Sequence, residues 1–125
     1  PEVERIGMQV VMKHEKKHGR TPEDVSEQNL GFDIRSKDAK TEQIRYIEVK
    51  ARAKTGPVAL TQNEWFKAKR FGDDYYLYAV MEASTEPQLY IIQNPAENVK
   101  AEEKIEVVRF LISANEIMNK SGNVT

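Results

Sequence analysis

The heptapeptide Tyr46-Ile47-Glu48-Val49-Lys50-Ala51-Arg52 constrains this chain more than any other stretch. Its aromatic and β-branched residues suit a pleated strand. Strand side chains alternate, so Ile47, Val49 and Ala51 share an apolar face, while Tyr46, Glu48, Lys50 and Arg52 share the other. A carboxylate and an ammonium are thereby aimed at one place. Such a face is either a solvated edge or a site.

The flanking sequence supplies elements to pack against this strand. An apolar stripe of Val3, Ile6, Gly7, Val10 and Val11 predicts a helix from about Val3 to His18, with Lys13, Lys16 and Lys17 suiting its C-terminal dipole. Arg20-Thr21-Pro22 reads as a turn, Asp24-Val25-Ser26 as a short strand, and Leu30 to Arg35 as a fuller strand with Leu30, Phe32 and Ile34 on one face. Lys37 to Gln43 reads as a charged hairpin loop, and Lys54-Thr55-Gly56-Pro57 as the turn closing the next strand. Thr61-Gln62-Asn63-Glu64 is a capping box, stapled by Leu60 and Trp65, that opens a helix ending before Gly72. Strands are expected at Tyr75–Met81, Gln88–Gln93 and 105–111. A second capping box at Ser113 to Glu116 opens a short final helix. The order predicts an α/β fold with one mixed central sheet flanked by helices.

At 125 residues the chain is one domain in size, expected over residues 1–120 with a frayed tail at 121–125. Its start at Pro1 suggests a piece of a larger protein. Nineteen basic against twenty acidic residues give a net charge of -1, so nucleic-acid binding must rest on a local basic surface. The absence of cysteine excludes disulfides, Cys-ligated zinc and thiol catalysis. No apolar run suits a membrane span and no secretory signal is present, so the expected location is cytoplasmic. Nucleotide hydrolysis lacks a phosphate-cradling glycine loop, and Ser/His/Asp hydrolysis lacks a nucleophile motif.

Asp33 lies fifteen residues before Glu48, across the charged loop. If the two strands form a hairpin, both carboxylates meet on one side of the sheet. Paired hard oxygens suit Mg²⁺ or Mn²⁺, with water completing the coordination. Lys50 alongside would orient the attacking water or stabilise charge on an attacked phosphate.

Gly31-Phe32-Asp33-Ile34 followed by Ile47-Glu48-Val49-Lys50 resembles the Asp…Glu-x-Lys signature of the PD-(D/E)xK, restriction-endonuclease-like superfamily. The element order also resembles that superfamily's α-β-β-β-α-β core. A wider likeness takes in Val3 to Met8, Glu15, Asp24-Val25-Ser26, Arg45 to Lys50 and Leu60 to Trp65. It is to the domain named after the C-terminus of the plant protein NO VEIN, found appended to prokaryotic helicases. The resemblance implies a metal-dependent nuclease-like module acting on DNA within a larger helicase or defence protein. Asp33 and Glu48 would be metal ligands, with the Val49 carbonyl a further one and Lys50 the catalytic lysine. Glu15, or less favourably Glu4, would be the acidic residue of the first helix. Phe32 stands where the superfamily's name-giving Pro would be. The alternative is a catalytically inactive module of the same fold that binds nucleic acid or a partner domain.

Two further patterns accompany this reading. Arg52 and Lys54 extend the Lys50 face, and Gln62, Lys67 and Arg70 project from the second helix. Together with Arg45 and Lys69 they would hold a phosphodiester backbone, or else form solvated faces. Trp65 is expected in the core. His14-Glu15-Lys16-Lys17-His18 matches H-E-x-x-H, the zinc-hydrolase helix. Its Lys-Lys pair would repel Zn²⁺, and no third histidine exists. The plainer reading is an exposed basic helix end.

Overall fold

The computed structural model describes residues 1–104 and 109–125 of the chain. Helix α1 (Glu2–Lys17) is followed by β1 (Arg20–Asp24), β2 (Ile34–Asp38), β3 (Ile44–Ala51) and β4 (Val58–Thr61). Then come α2 (Gln62–Phe71), β5 (Tyr75–Met81), β6 (Gln88–Gln93), the single-turn α3 (Pro95–Asn98), β7 (Glu102–Lys104), β8 (Arg109–Ile112) and α4 (Ala114–Lys120).

A five-stranded sheet of order β1-β2-β3-β5-β6 forms the centre. It is antiparallel except for the parallel pair β3·β5, whose connection carries β4 and α2. A second antiparallel sheet, β4-β8-β7, lies beside it. The predicted mixed α/β sheet flanked by helices is the observed architecture.

The alternation read from 46–52 sorts the two faces of the central sheet. Ile47, Val49 and Ala51 pack with Tyr78, Val80 and Leu89 beneath α1. On the other face, Tyr46 joins Phe32, Phe71 and Tyr75. Leu77, Ala79 and Met81 join Trp65, Leu60, Ile112 and Ile117 in a separate cluster on that side. Trp65 stacks on Phe110 at 4.4 Å between ring centroids, a core role as expected.

α1 lies close on β3 because Gly7 leaves room. A Cβ at Gly7 would stand 2.7 Å from Ala51 Cβ. Gly→Ala inside a helix ordinarily gains up to about 1 kcal/mol. Here the clash with a strand β-carbon wins, since overpacking costs about 1–3 kcal/mol. Gly7→Ala is therefore expected to lower the urea midpoint. A midpoint equal to or above wild type would contradict this packing.

The structure differs from the sequence reading in several places. Arg20-Thr21-Pro22 is not a turn but the start of β1; β1 is an edge strand, where a proline costs no interior ladder bond. The strand expected at 30–35 begins only at Ile34, after a bend at Gly31, whose φ is +87°. That bend puts Phe32 and Ile34 in clusters on opposite sides of the sheet, not on one face. Strand β4 and the α3 turn were not anticipated. Of the strand expected at 105–111, residues 105–108 lie outside the described residues, and β8 occupies 109–112. The tail expected to fray runs along β6, with Ile91 N–H donating to Ser121 Oγ (3.0 Å) and Val124 N–H to the Leu89 carbonyl (2.9 Å).

Candidate active site at the open edge of strand β3

The β2–β3 ladder ends at the pair Ile34↔Ile47. Asp33 N–H still donates to the Ile47 carbonyl (2.8 Å), but the chain then turns away. The outward edge of β3 beyond Ile47 is thus left without a strand. Val49 N–H, on that edge, is taken by Asp33 Oδ2 at 2.9 Å. A strand residue's N–H and C=O share a side, so the Val49 carbonyl lies on the same edge.

This opening is a cavity of about 420 Å³. Glu4 and Met8 of α1 wall one side and Glu64 of α2 the other, with Asp33, Glu48 and Lys50 between them. The Asp33 and Glu48 carboxyls line this one cavity, and the charge of Asp33 acts on Glu48. The expected meeting of two carboxylates with Lys50 is therefore what the fold produces.

Glu48 is only 2 % exposed. Burial first, and the Asp33 charge second, push its carboxyl well above the usual range; Lys50 opposes them without prevailing. Burial also raises Asp33, against the pull of the Val49 N–H. Lowering the charge of the pair, by a proton or by a cation, would relieve the repulsion of like charges.

Lys50 Nζ lies 2.9 Å from Glu64 Oε1 and 3.3 Å from Glu48 Oε2. Burial pulls the ammonium down, but the two glutamates outweigh it and hold the pKa above that of an ordinary lysine. A lysine held charged donates hydrogen bonds and stabilises anions; it does not abstract protons. Glu64 has a double duty. Its Oε1 accepts the Thr61 N–H at 2.9 Å while Thr61 Oγ1 accepts the Glu64 N–H at 3.1 Å, completing the predicted capping box. The sequence reading gave Glu64 only this capping role. The i+3 spacing of the box, which aims N3 back over the helix start, is the signal that it also faces β3.

Glu15 does not line this cavity. It is fully buried at the far end of α1, its two oxygens held by Arg20 Nε (2.5 Å) and Nη2 (2.9 Å), with Tyr78 O–H donating at 2.6 Å. Eleven residues of helix separate it from Glu4, a rise of about 16 Å. Glu4 is the α1 carboxylate at the site, and the preference for Glu15 over Glu4 is reversed. The engagement of Glu15 also removes the general base of the zinc-helix reading, in which His14 and His18 merely stack at 4.1 Å. Arg45, grouped by sequence with the basic patch, joins the Glu15 cluster through Tyr78 Oη (2.9 Å) and covers the Tyr76 ring.

Of the other basic candidates, Arg52 lines a smaller adjoining cavity. Lys54 is exposed on the β3–β4 loop and Arg70 on α2. Lys67 lies over Phe71, 5.5 Å from the ring centroid, and against Gly31. Gln62, exposed at the first position of α2, lines neither cavity. Among the described residues no group of three or more His, Asp or Glu side chains stands ready to hold a metal, and no helix is long and apolar enough to cross a membrane.

The family model described as "Protein NO VEIN, C-terminal" matches residues 3–92, from the first turn of α1 into β6. The match takes in the central sheet up to Ile92, all but the last residue of β6, and each of the residues Glu4, Asp33, Glu48, Lys50 and Glu64. No curated protein and no solved structure matches the chain. By that match the chain belongs to the NO VEIN C-terminal domain family.

Proposed function

We propose that this domain is a metal-dependent, nuclease-like module of PD-(D/E)xK type, acting on DNA by phosphodiester hydrolysis as the cytoplasmic partner of a helicase or defence protein. One observation carries the reading: Asp33, Glu48 and Lys50 converge at the open edge of β3. The antiparallel β1-β2-β3 unit with β5 parallel to β3 is also the arrangement that the α-β-β-β-α-β order implies.

The donor set fits a divalent cation. Two hard carboxylates line one cavity with their like charges opposed, a repulsion that a cation would relieve, and Mg²⁺ or Mn²⁺ would be held by Asp33, Glu48 and the Val49 carbonyl. Such a cation supplies Lewis-acid polarisation of the phosphate and makes water acidic. The chain's own part is then electrostatic and steric. Lys50 brings a permanent positive charge to the phosphate, Glu64 and Glu48 fix its direction, and Met8 screens one side of the pocket from solvent.

The test is nicking of plasmid and cleavage of single-stranded DNA in Mg²⁺ or Mn²⁺, with Asp33→Ala and Lys50→Ala beside wild type. Wild type is expected to cut. Loss of the Lys50 charge should cost about 10²–10³ in rate, as removal of an oxyanion donor does. Asp33→Ala should abolish cutting and also any rise in Tm on adding Mn²⁺. An inert wild type, or mutants that cut equally well, would end the enzymatic reading.

A second reading is a catalytically inactive module that binds nucleic acid or a partner domain. It is favoured by the occupation of Lys50 by two glutamates.

A further inference from the structure

The cavity over the carboxylates does not end at Lys50. A second cavity of about 250 Å³ shares Lys50 and Ala51 with it and continues past Arg52, Pro57 and Ala59 to Arg109. Arg109 comes from β8, where it pairs with Thr61, the N-cap of α2. Two distant parts of the sequence thus bring guanidinium groups to one groove. Among the described residues neither Arg52 nor Arg109 has an acidic partner, whereas Lys50 at the groove's head has two.

The Arg52 head group has its own seat. A Cβ on Gly56 would stand 3.0 Å from Arg52 Nη2 and 3.2 Å from Nε. Gly56, buried in the β3–β4 loop, therefore lets the guanidinium lie flat against the loop. A planar fork of donors held in this way matches a phosphate geometrically as well as electrostatically. The floor between the two arginines is apolar, from Pro57, Val58, Ala59 and Leu111. Two separated cations over an apolar floor suit a chain that alternates phosphate with sugar and base. A single strand offers all three to a groove, while a duplex turns chiefly its phosphates outward.

From this we infer that Arg52 and Arg109 form a phosphate-binding track for a single-stranded nucleic acid leading away from the Asp33–Glu48–Lys50 pocket, with Gly56 as the positioning residue for Arg52. The inference rests on reading the pocket as one that meets a phosphodiester, but it is a claim about binding and can be tested without chemistry.

The probe is fluorescein-labelled dT12, with U12 beside it, measured by fluorescence anisotropy in EDTA so that no cleavage intervenes. Arg52→Ala and Arg109→Ala should each weaken binding about three- to tenfold and lower the salt slope by about 0.7, one phosphate each on a single strand. Gly56→Ala, which keeps every charge, should weaken binding in the same direction as Arg52→Ala and add nothing when combined with it. Lys40→Ala, in the hairpin at the opposite end of β3, should leave binding unchanged. Equal losses for dT12 and U12 mean that the track reads phosphate alone; a loss confined to one of them identifies that strand as its ligand.

The track is overturned if wild type does not bind either oligonucleotide. It is overturned equally if Arg52→Ala and Arg109→Ala bind as wild type, or if a 12-bp duplex binds as tightly with the same sensitivity to both substitutions. The two levels separate cleanly. Arginine-dependent binding by a wild type that never cuts removes the nuclease and keeps the track. Cutting that ignores both arginines removes the track and keeps the nuclease.

Discussion

Glu15→Gln should destabilise the fold by about 3–5 kcal/mol, the cost of breaking a buried ion pair by removing one partner. Glu15 has no exposed surface, and Arg20 keeps 11 % of its side chain exposed. The guanidinium meets the carboxylate through two nitrogens, the fork geometry that makes such pairs strong. Tyr78 O–H donates to the same carboxylate while accepting from Arg45, so one carboxylate anchors a chain of four side chains joining α1, β1, β3 and β5. Glutamine preserves the shape but turns an N–H₂ group or a neutral oxygen toward Arg20. The expected readout is a large fall in urea midpoint with an unchanged slope. A loss below about 1 kcal/mol would mean that the pair is solvated after all.

The same cluster fixes a pH dependence. Burial pushes the Glu15 carboxyl up, but the Arg20 guanidinium and the Tyr78 hydroxyl together outweigh it and hold the group below its ordinary value. A carboxylate depressed in the folded state contributes stability that is present above its unfolded pKa and is lost as pH falls through the folded one. Acid unfolding of wild type should therefore draw on Glu15, and Glu15→Gln should flatten that limb. Replacing both partners, Glu15→Leu with Arg20→Met, should cost less than Glu15→Gln alone, because no charge is left stranded.

How much of this was legible in the sequence depended on whether local rules and tertiary context agreed. The β3 face assignment held because alternation follows from the extended backbone of a strand and Glu48, Lys50 and Tyr46 had no bend between them. The capping box at Thr61 held because its two hydrogen bonds close within four residues. Asp33 was placed correctly beside Glu48 even though its strand was not. The bend at Gly31 broke the alternation on which Phe32 and Ile34 were assigned, and a positive φ at glycine leaves no trace in periodicity. β1 was hidden by Pro22, whose meaning changes from turn to strand once the strand is known to be an edge. Glu15 and Glu4 could not be ranked, since both fit one helix and only the docking of α1 on β3 through Gly7 decides which end meets the open edge. Arg109 lay beyond reach altogether, because nothing local ties β8 to the end of β3.

The opposite response is expected at Glu48. With divalent ions removed by EDTA, Glu48→Gln should stabilise the protein by about 1–2 kcal/mol at pH 8, the gain typical of relieving a site kept for function at the expense of stability. Burial and the neighbouring Asp33 raise the Glu48 carboxyl well above its ordinary range. The folded state then binds more protons than the unfolded chain between those two values, so wild-type stability falls as pH rises through the window. Glutamine supplies permanently what protonation of Glu48 supplies only toward lower pH: an N–H toward Asp33 and an oxygen toward Lys50. The advantage of Glu48→Gln should thus be greatest at pH 8 and vanish as the pH approaches 4.5, giving stability curves that converge at low pH. Paired pH series of thermal unfolding measure this directly. A Glu48→Gln variant less stable than wild type at pH 8 would mean that the Lys50–Glu48 attraction outweighs the repulsion from Asp33. Millimolar Mg²⁺ adds a further arm, since a cation that binds only the folded wild type raises its stability by mass action. It should narrow the gap from the wild-type side and leave the variant where it was, because the charge that repels Asp33 in the bare site is the charge a divalent cation would require.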